Sequence, residues 1–85
     1  MKEPLETAEL LAFARTVESK SLSRAAQDLG VPRATISRRL ARLEERLKVR
    51  LLKRTTRRLS VTDAGEALYA HAQRVLEALS FAGSA

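Results

Sequence analysis

The sequence predicts a small, mainly α-helical domain interrupted by one short β-hairpin. Apolar residues make up 45% of the 85 positions but aromatics only 4%, so Leu and Ala must do most of the packing, which fits helices better than sheets. Four stretches repeat apolar residues at helical i, i+3, i+4 spacing, and only the interval 49–61 switches to short β-compatible runs. There is no cysteine, so neither disulfides nor a Cys-based zinc site can staple the chain. One hydrophobic core must hold it, alone or with a second copy.

Residues from about Glu6 to Ser19 form the first helix. Leu10, Phe13, Ala14 and Val17 share a face, with Glu6, Glu9, Arg15 and Glu18 off it. Phe13 is the core anchor, and Pro4 lies in the first turn or just outside it. Ser19-Lys20-Ser21 breaks the pattern before a second helix from about Leu22 to Leu29, on which Leu22, Ala25, Ala26 and Leu29 repeat the spacing. Ser21 or its rival Ser23 caps that helix, and Gly30 stands where its end needs a left-handed residue. Ala25 and Ala26 have no bulk, so another helix can cross them closely.

Val31-Pro32 opens the third helix, with Pro at a first helical position, and the helix extends to Lys48. Ile36, Leu40, Leu43 and Leu47 stack on one side; Ala34, Arg38, Ala41, Arg42 and Glu45 fall on the other. Small residues beside Arg let a helix lie close to another surface while guanidinium groups reach past them. A DNA major groove admits such a helix, and Arg is the commonest reader of guanine edges. The competing reading is a surface helix with solvated charges. A short helix ending in Gly, a tight turn and a longer Arg-bearing helix make a helix-turn-helix, whose first member braces the second.

Val49 to Lys53 and Leu59 to Val61 read as two strands whose tip carries Arg57 and Arg58, joined by a loop longer than two residues. Beside a recognition helix such a hairpin is a wing, placed to send a guanidinium into the adjacent minor groove; alone it would read as a solvated loop. Thr62 then caps a long last helix to about Ser80, with Asp63 and Glu66 near its positive end. Ala64, Leu68, Ala72, Val75, Leu76 and Leu79 form its apolar stripe. The later members have little domain left to cover, so a second subunit is their natural partner, the alternative being a helix that frays. Residues 1–62 are thus expected to form the winged head and residues 63–85 a linker and dimerisation helix.

Charge is concentrated rather than spread. Between Arg33 and Arg58 stand eleven Lys or Arg against Glu44 and Glu45, a net +9. The other 59 residues carry five basic and eight acidic side chains, a net −3. A positive region on an otherwise acidic domain suits a polyanion, nucleic acid first and an acidic membrane surface second. No apolar run approaches the ~20 residues that span a bilayer, and the N-terminus lacks the apolar core of a secretion signal. An intracellular, cytoplasmic protein is expected, with no membrane partner.

Ser21-Leu22-Ser23-Arg24-Ala25-Ala26, Ala34-Thr35-Ile36-Ser37-Arg38-Arg39-Leu40 and Leu43-Glu44-Glu45-Arg46-Leu47 together resemble the N-terminal domain of LysR-type transcriptional regulators. So does Leu51-Leu52-Lys53-Arg54-Thr55 followed by Leu59-Ser60-Val61-Thr62-Asp63-Ala64-Gly65. The resemblance implies a winged helix-turn-helix with a three-helix core, dimeric through its last helix and bound to imperfect inverted repeats in bacterial promoters. It implies groove-facing roles for Arg33, Ala34, Thr35, Ser37 and Arg38, joined by Arg42 from the helix face above. It further implies phosphate contacts at Ser21 and Ser23, and wing contacts at Arg54 and Arg57, with Arg58 beside them. Leu68, Ala72, Val75, Leu76 and Leu79 are the expected dimerisation residues.

Two departures from the family pattern matter. Family members commonly carry Ser, Gln, then Pro or a small residue where this chain has Pro32, Arg33 and Ala34, so a capping hydroxyl is missing and a cation replaces a neutral amide. Members also carry a larger ligand-sensing domain, so the chain is expected to be an isolated DNA-binding domain or a fragment, with higher oligomers only where that domain is present. A catalytic reading has little to stand on: His71 is the only histidine and no Gly-rich phosphate loop appears, so no cofactor or metal is expected. Glu44 is read as a structural partner for a nearby Arg, with Arg54 the expected one. The rival reading is a helical dimerisation module with an incidental basic face. Double-stranded RNA is disfavoured because its A-form major groove is too narrow for a helix.

Overall fold

A computed structural model of the chain describes residues 6–55 and 58–84. Helices α1 (Thr7–Ser19), α2 (Leu22–Leu29) and α3 (Arg33–Leu47) precede strands β1 (Leu52–Arg54) and β2 (Leu59–Val61), and α4 (Asp63–Ser84) closes the order. The first three helices pack on one another around Phe13, Ile36 and Leu43, with Leu51 fully buried beneath the hairpin. Ala25 and Ala26 are buried where α2 meets its neighbours, as their small size allows. The architecture is the expected mainly helical one with a two-stranded wing.

Local chemistry sets the helix ends. Ser21, not Ser23, caps α2: its Oγ accepts the Arg24 N–H at 3.1 Å. Gly30 ends α2 in the left-handed region at φ 68°, as expected. Pro32 corrects a boundary. Its ψ of 149° is extended, so it is the N-cap of α3 rather than its first helical residue, and it offers no side-chain cap. Its carbonyl instead accepts the Thr35 N–H at 3.0 Å. Two lysines end helices in the left-handed region where glycine is usual, Lys20 after α1 (φ 56°) and Lys48 after α3 (φ 58°).

The antiparallel hairpin pairs Leu52 with Val61, Lys53 with Ser60 and Arg54 with Leu59. Its first strand begins at Leu52, three residues later than expected, because Glu44 from α3 takes the backbone N–H groups of Leu51 and Leu52 at 2.7 and 3.1 Å. Val49 is left exposed in the connection. Arg50, not Arg54, is the side-chain partner of Glu44, at 3.8 Å. At the tip the Thr55 N–H donates to the Arg58 carbonyl at 2.9 Å, and the Arg58 N–H donates to Thr55 Oγ1 at 3.1 Å.

Thr62 caps α4 as expected, accepting the Gly65 N–H at 3.0 Å while its hydroxyl donates to the Arg50 carbonyl at 2.6 Å. Gly65 permits this join. A Cβ there would overlap the Leu51 carbonyl oxygen and stand 2.6 Å from Val61 Cγ1. Further along, the Tyr69 hydroxyl donates to Glu18 Oε2 at 2.8 Å, tying α4 to α1; burial first, and then this bond to a carboxylate, raise the phenol above its usual 10.0. Ala72 is fully buried and Leu68 packs on the core, so these two expected dimerisation residues face their own chain. Leu79 is 49% exposed.

Glu9 was expected off the apolar face yet is only 1% exposed. Arg46 from α3 lies 3.4 Å from its carboxylate and 3.6 Å from that of Glu6, and an opposite charge at that range offsets part of the cost of burial. No helix among the described residues is long and apolar enough to cross a membrane.

Candidate nucleic-acid interface

The inner side of α3 is committed to the core through Ile36, Leu40 and Leu43, each at most 4% exposed. That fixes the rotation of the helix and leaves the opposite side outward. Arg33, Ala34, Arg38, Ala41 and Arg42 are exposed, and Thr35 and Ser37 are half-buried. Among the described residues the Arg38 guanidinium makes one hydrogen bond, a long 3.5 Å contact to Thr35 Oγ1, one turn back on the same helix. The face is therefore open, small-residued and cationic, able to approach a flat or grooved polyanion.

The wing is held relative to this face by carboxylate and hydroxyl anchors. Glu44 projects from α3 to the strand entry, while Thr62 bonds the start of α4 to Arg50. A hydrogen bond to a charged acceptor is stronger and geometrically tighter than a neutral one, so the hairpin cannot slide freely against α3.

A cleft of about 220 Å³ opens where four elements converge. Lys20 comes from the end of α1, Ser21 and Ser23 from the start of α2, Arg33 from the start of α3, and Arg54, Thr55 and Arg58 from the hairpin. The structure thus brings together both expected helix-2 serines, two expected wing arginines and Arg33, which was expected with the groove-facing set. Arg57 lies outside the described residues. The apolar residues of α4 are remote in role from this surface, because α4 packs chiefly on α1. Sequence reasoning missed Lys20, which had registered only as a break in periodicity. Its signal is indirect: a non-glycine residue closing a helix immediately before a serine cap.

Residues 7–66 match the family model for bacterial regulatory helix-turn-helix proteins of the lysR family. The chain belongs to the LysR family. It is 47% identical over 74 residues to the HTH-type transcriptional regulator CrgA of Neisseria meningitidis serogroup C, covering 87% of this chain and 25% of that protein. The chain thus spans about a quarter of the length of the curated relatives it matches. Among solved structures, oxidized OxyR of Corynebacterium glutamicum superposes with a TM-score of 0.94 at 33% identity, over 99% of this chain and 27% of that one. The CbnR_DBD–DNA complex gives 0.86 at 34% identity, over 93% of this chain and 91% of that one. The helix order and two-stranded wing described above are the LysR-family DNA-binding architecture.

Proposed function

We propose that this LysR-family domain binds double-stranded DNA sequence-specifically, as the DNA-reading part of a bacterial transcriptional regulator. The observation that carries the reading is the solvent-open Arg38 side of α3, inside a segment of net charge +9. In this reading Ala34, Thr35, Ser37, Arg38 and Arg42 face the major groove, where Arg pairs with guanine edges and small neighbours allow close approach. Ser21 and Ser23 meet the phosphate backbone at the positive end of α2. The wing, with Arg54, Arg57 and Arg58, lies over the backbone toward the adjacent minor groove.

Residues 1–62 act as the reading head and residues 63–85 as linker and pairing helix. Two copies join through the α4 stripe at Val75, Leu76 and Leu79 and present their recognition helices to an imperfect inverted repeat. The domain works in the cytoplasm as a binding module, not a catalyst. The relative captured in a DNA complex shares this architecture and a third of its sequence, which supports the reading.

Selecting bound sites from a pool of random duplexes tests it. The expected outcome is one enriched, dyad-related motif with half-sites about one DNA turn apart. Salt titration adds a second axis: log affinity should fall steeply with log salt, near 0.9 per phosphate neutralised. No enrichment together with a flat salt response would favour a dimerisation module with an incidental basic face.

A further inference from the structure

Among the described residues, the cleft at the meeting of α1, α2, α3 and the hairpin is lined by four cations, Lys20, Arg33, Arg54 and Arg58, and by no acidic residue. Outside it some cations have carboxylate partners, Arg15 with Glu18, Arg24 with Asp28, Arg46 with Glu9 and Arg50 with Glu44, while others on the open face of α3, such as Arg38 and Arg42, do not. Among the described residues none of the four cleft cations has such a partner, although like charges so gathered repel one another. The start of α2 lines the same cleft through Ser21, Leu22 and Ser23, adding the positive end of a helix to the four side chains. Such an arrangement is stabilised by an anion seated between the charges.

We propose that this cleft seats one backbone phosphate of duplex DNA, with Lys20 and Arg33 joining Arg54 and Arg58 as its cationic walls. The proposal rests on the DNA-binding reading and refines it: Arg33 holds the backbone rather than reading a base. Lys20 supplies the sharper clue. It ends α1 in the left-handed region, where glycine would sit without strain, so what lysine adds at that position is its side chain. That side chain lines the cleft. A contact through phosphate raises affinity for every sequence, whereas a base contact raises it for one.

The test is a salt titration of fluorescent random-sequence duplex with the wild-type domain and the double variant Lys20→Gly/Arg33→Gln. Glycine suits the left-handed position and Arg33 is exposed, so the fold should survive, as circular dichroism will verify. The expected result is binding about tenfold weaker, the loss of a charge-assisted contact, and a log–log salt slope shallower by a part of the roughly 0.9 due to one phosphate, since Arg54 and Arg58 still face it. Arg33→Lys should keep the wild-type slope, because a phosphate accepts either cation. An unchanged slope and affinity in the double variant, with wild type still binding, would overturn the phosphate seat alone. Failure of the wild-type domain to bind duplex at all would overturn the reading beneath it.

Discussion

Arg38 shows how one residue's role follows from the burial of others. Ile36 and Leu40 flank it in sequence and are sunk in the core, which forces Arg38 to the outward side. Among the described residues its one hydrogen bond is a weak 3.5 Å approach to Thr35 on its own helix, so little would be broken if the guanidinium turned toward a base. A bidentate Arg–guanine pair discriminates by about 1–3 kcal/mol, and Arg38→Ala should cost a selected site that much while sparing random duplex. Parallel titrations of both duplexes measure the difference; equal losses would place Arg38 on phosphate. Gly65 is a residue of the opposite kind, conspicuous by what it lacks. Gly65→Ala gains up to ~1 kcal/mol in helix propensity. It must also force a Cβ against the Leu51 carbonyl and Val61, and overpacking typically costs 1–3 kcal/mol, at the upper end here because one obstacle is backbone. A net loss of about 2 kcal/mol is expected in urea unfolding.

At the scale of elements, the decisive joint is between α3 and the wing. Glu44 offers one carboxylate oxygen to two backbone N–H groups, and bonds to a charged acceptor contribute about 1.5–3 kcal/mol each when desolvated. Glu44 is only partly shielded, so Glu44→Ala should lower stability by about 3 kcal/mol, the low end of the roughly 3–6 kcal/mol that two such bonds could contribute. Glu44→Gln keeps a neutral acceptor and should lose about half as much. Both should weaken DNA binding beyond what unfolding explains, since a loosened wing no longer adds its arginines to the grip of α3; chemical denaturation beside a DNA titration separates the two effects. The same joint marks the limit of what sequence patterns reveal. The bounds of α2 and β2 follow from repeating apolar residues and fall as expected. The start of β1 does not, because a carboxylate seven residues upstream claims the backbone of Leu51 before any strand partner can. Glu9 defeats periodicity for the same reason: Arg46, far along the chain, makes its burial tolerable. The open face of α3 was legible because one helix's own spacing defines it. The cleft was not, because its walls come from residues 20 to 59 and meet only in the folded chain.

For the molecule as a whole, the question is how one small head acquires enough affinity and symmetry to find a site. The chain measures 43 × 32 × 19 Å, and its 22-residue α4 is itself about 33 Å long, close to one turn of DNA. Two heads joined along such helices would convert two weak bindings into one, the second profiting from the high effective concentration set by the first. The apolar stripe of α4 differs in burial along its length. Ala72 is sealed inside its own chain, and Leu76 lines a groove with Ala14, Arg15 and Glu18 of α1. Leu76 is only half-buried there, and Leu79 further along is 49% exposed, so in the proposed dimer a second copy would cover both. Leu79→Asp should therefore yield a monomer with an unchanged unfolding transition and much weaker binding to paired half-sites, while its affinity for a single half-site stays near that of the wild type. Ala72→Asp, by contrast, should unfold the head, because a buried carboxylate there meets no partner. Sedimentation equilibrium reads the first outcome and circular dichroism the second; a Leu79→Asp protein that still sediments as a dimer would move the pairing surface off the end of α4.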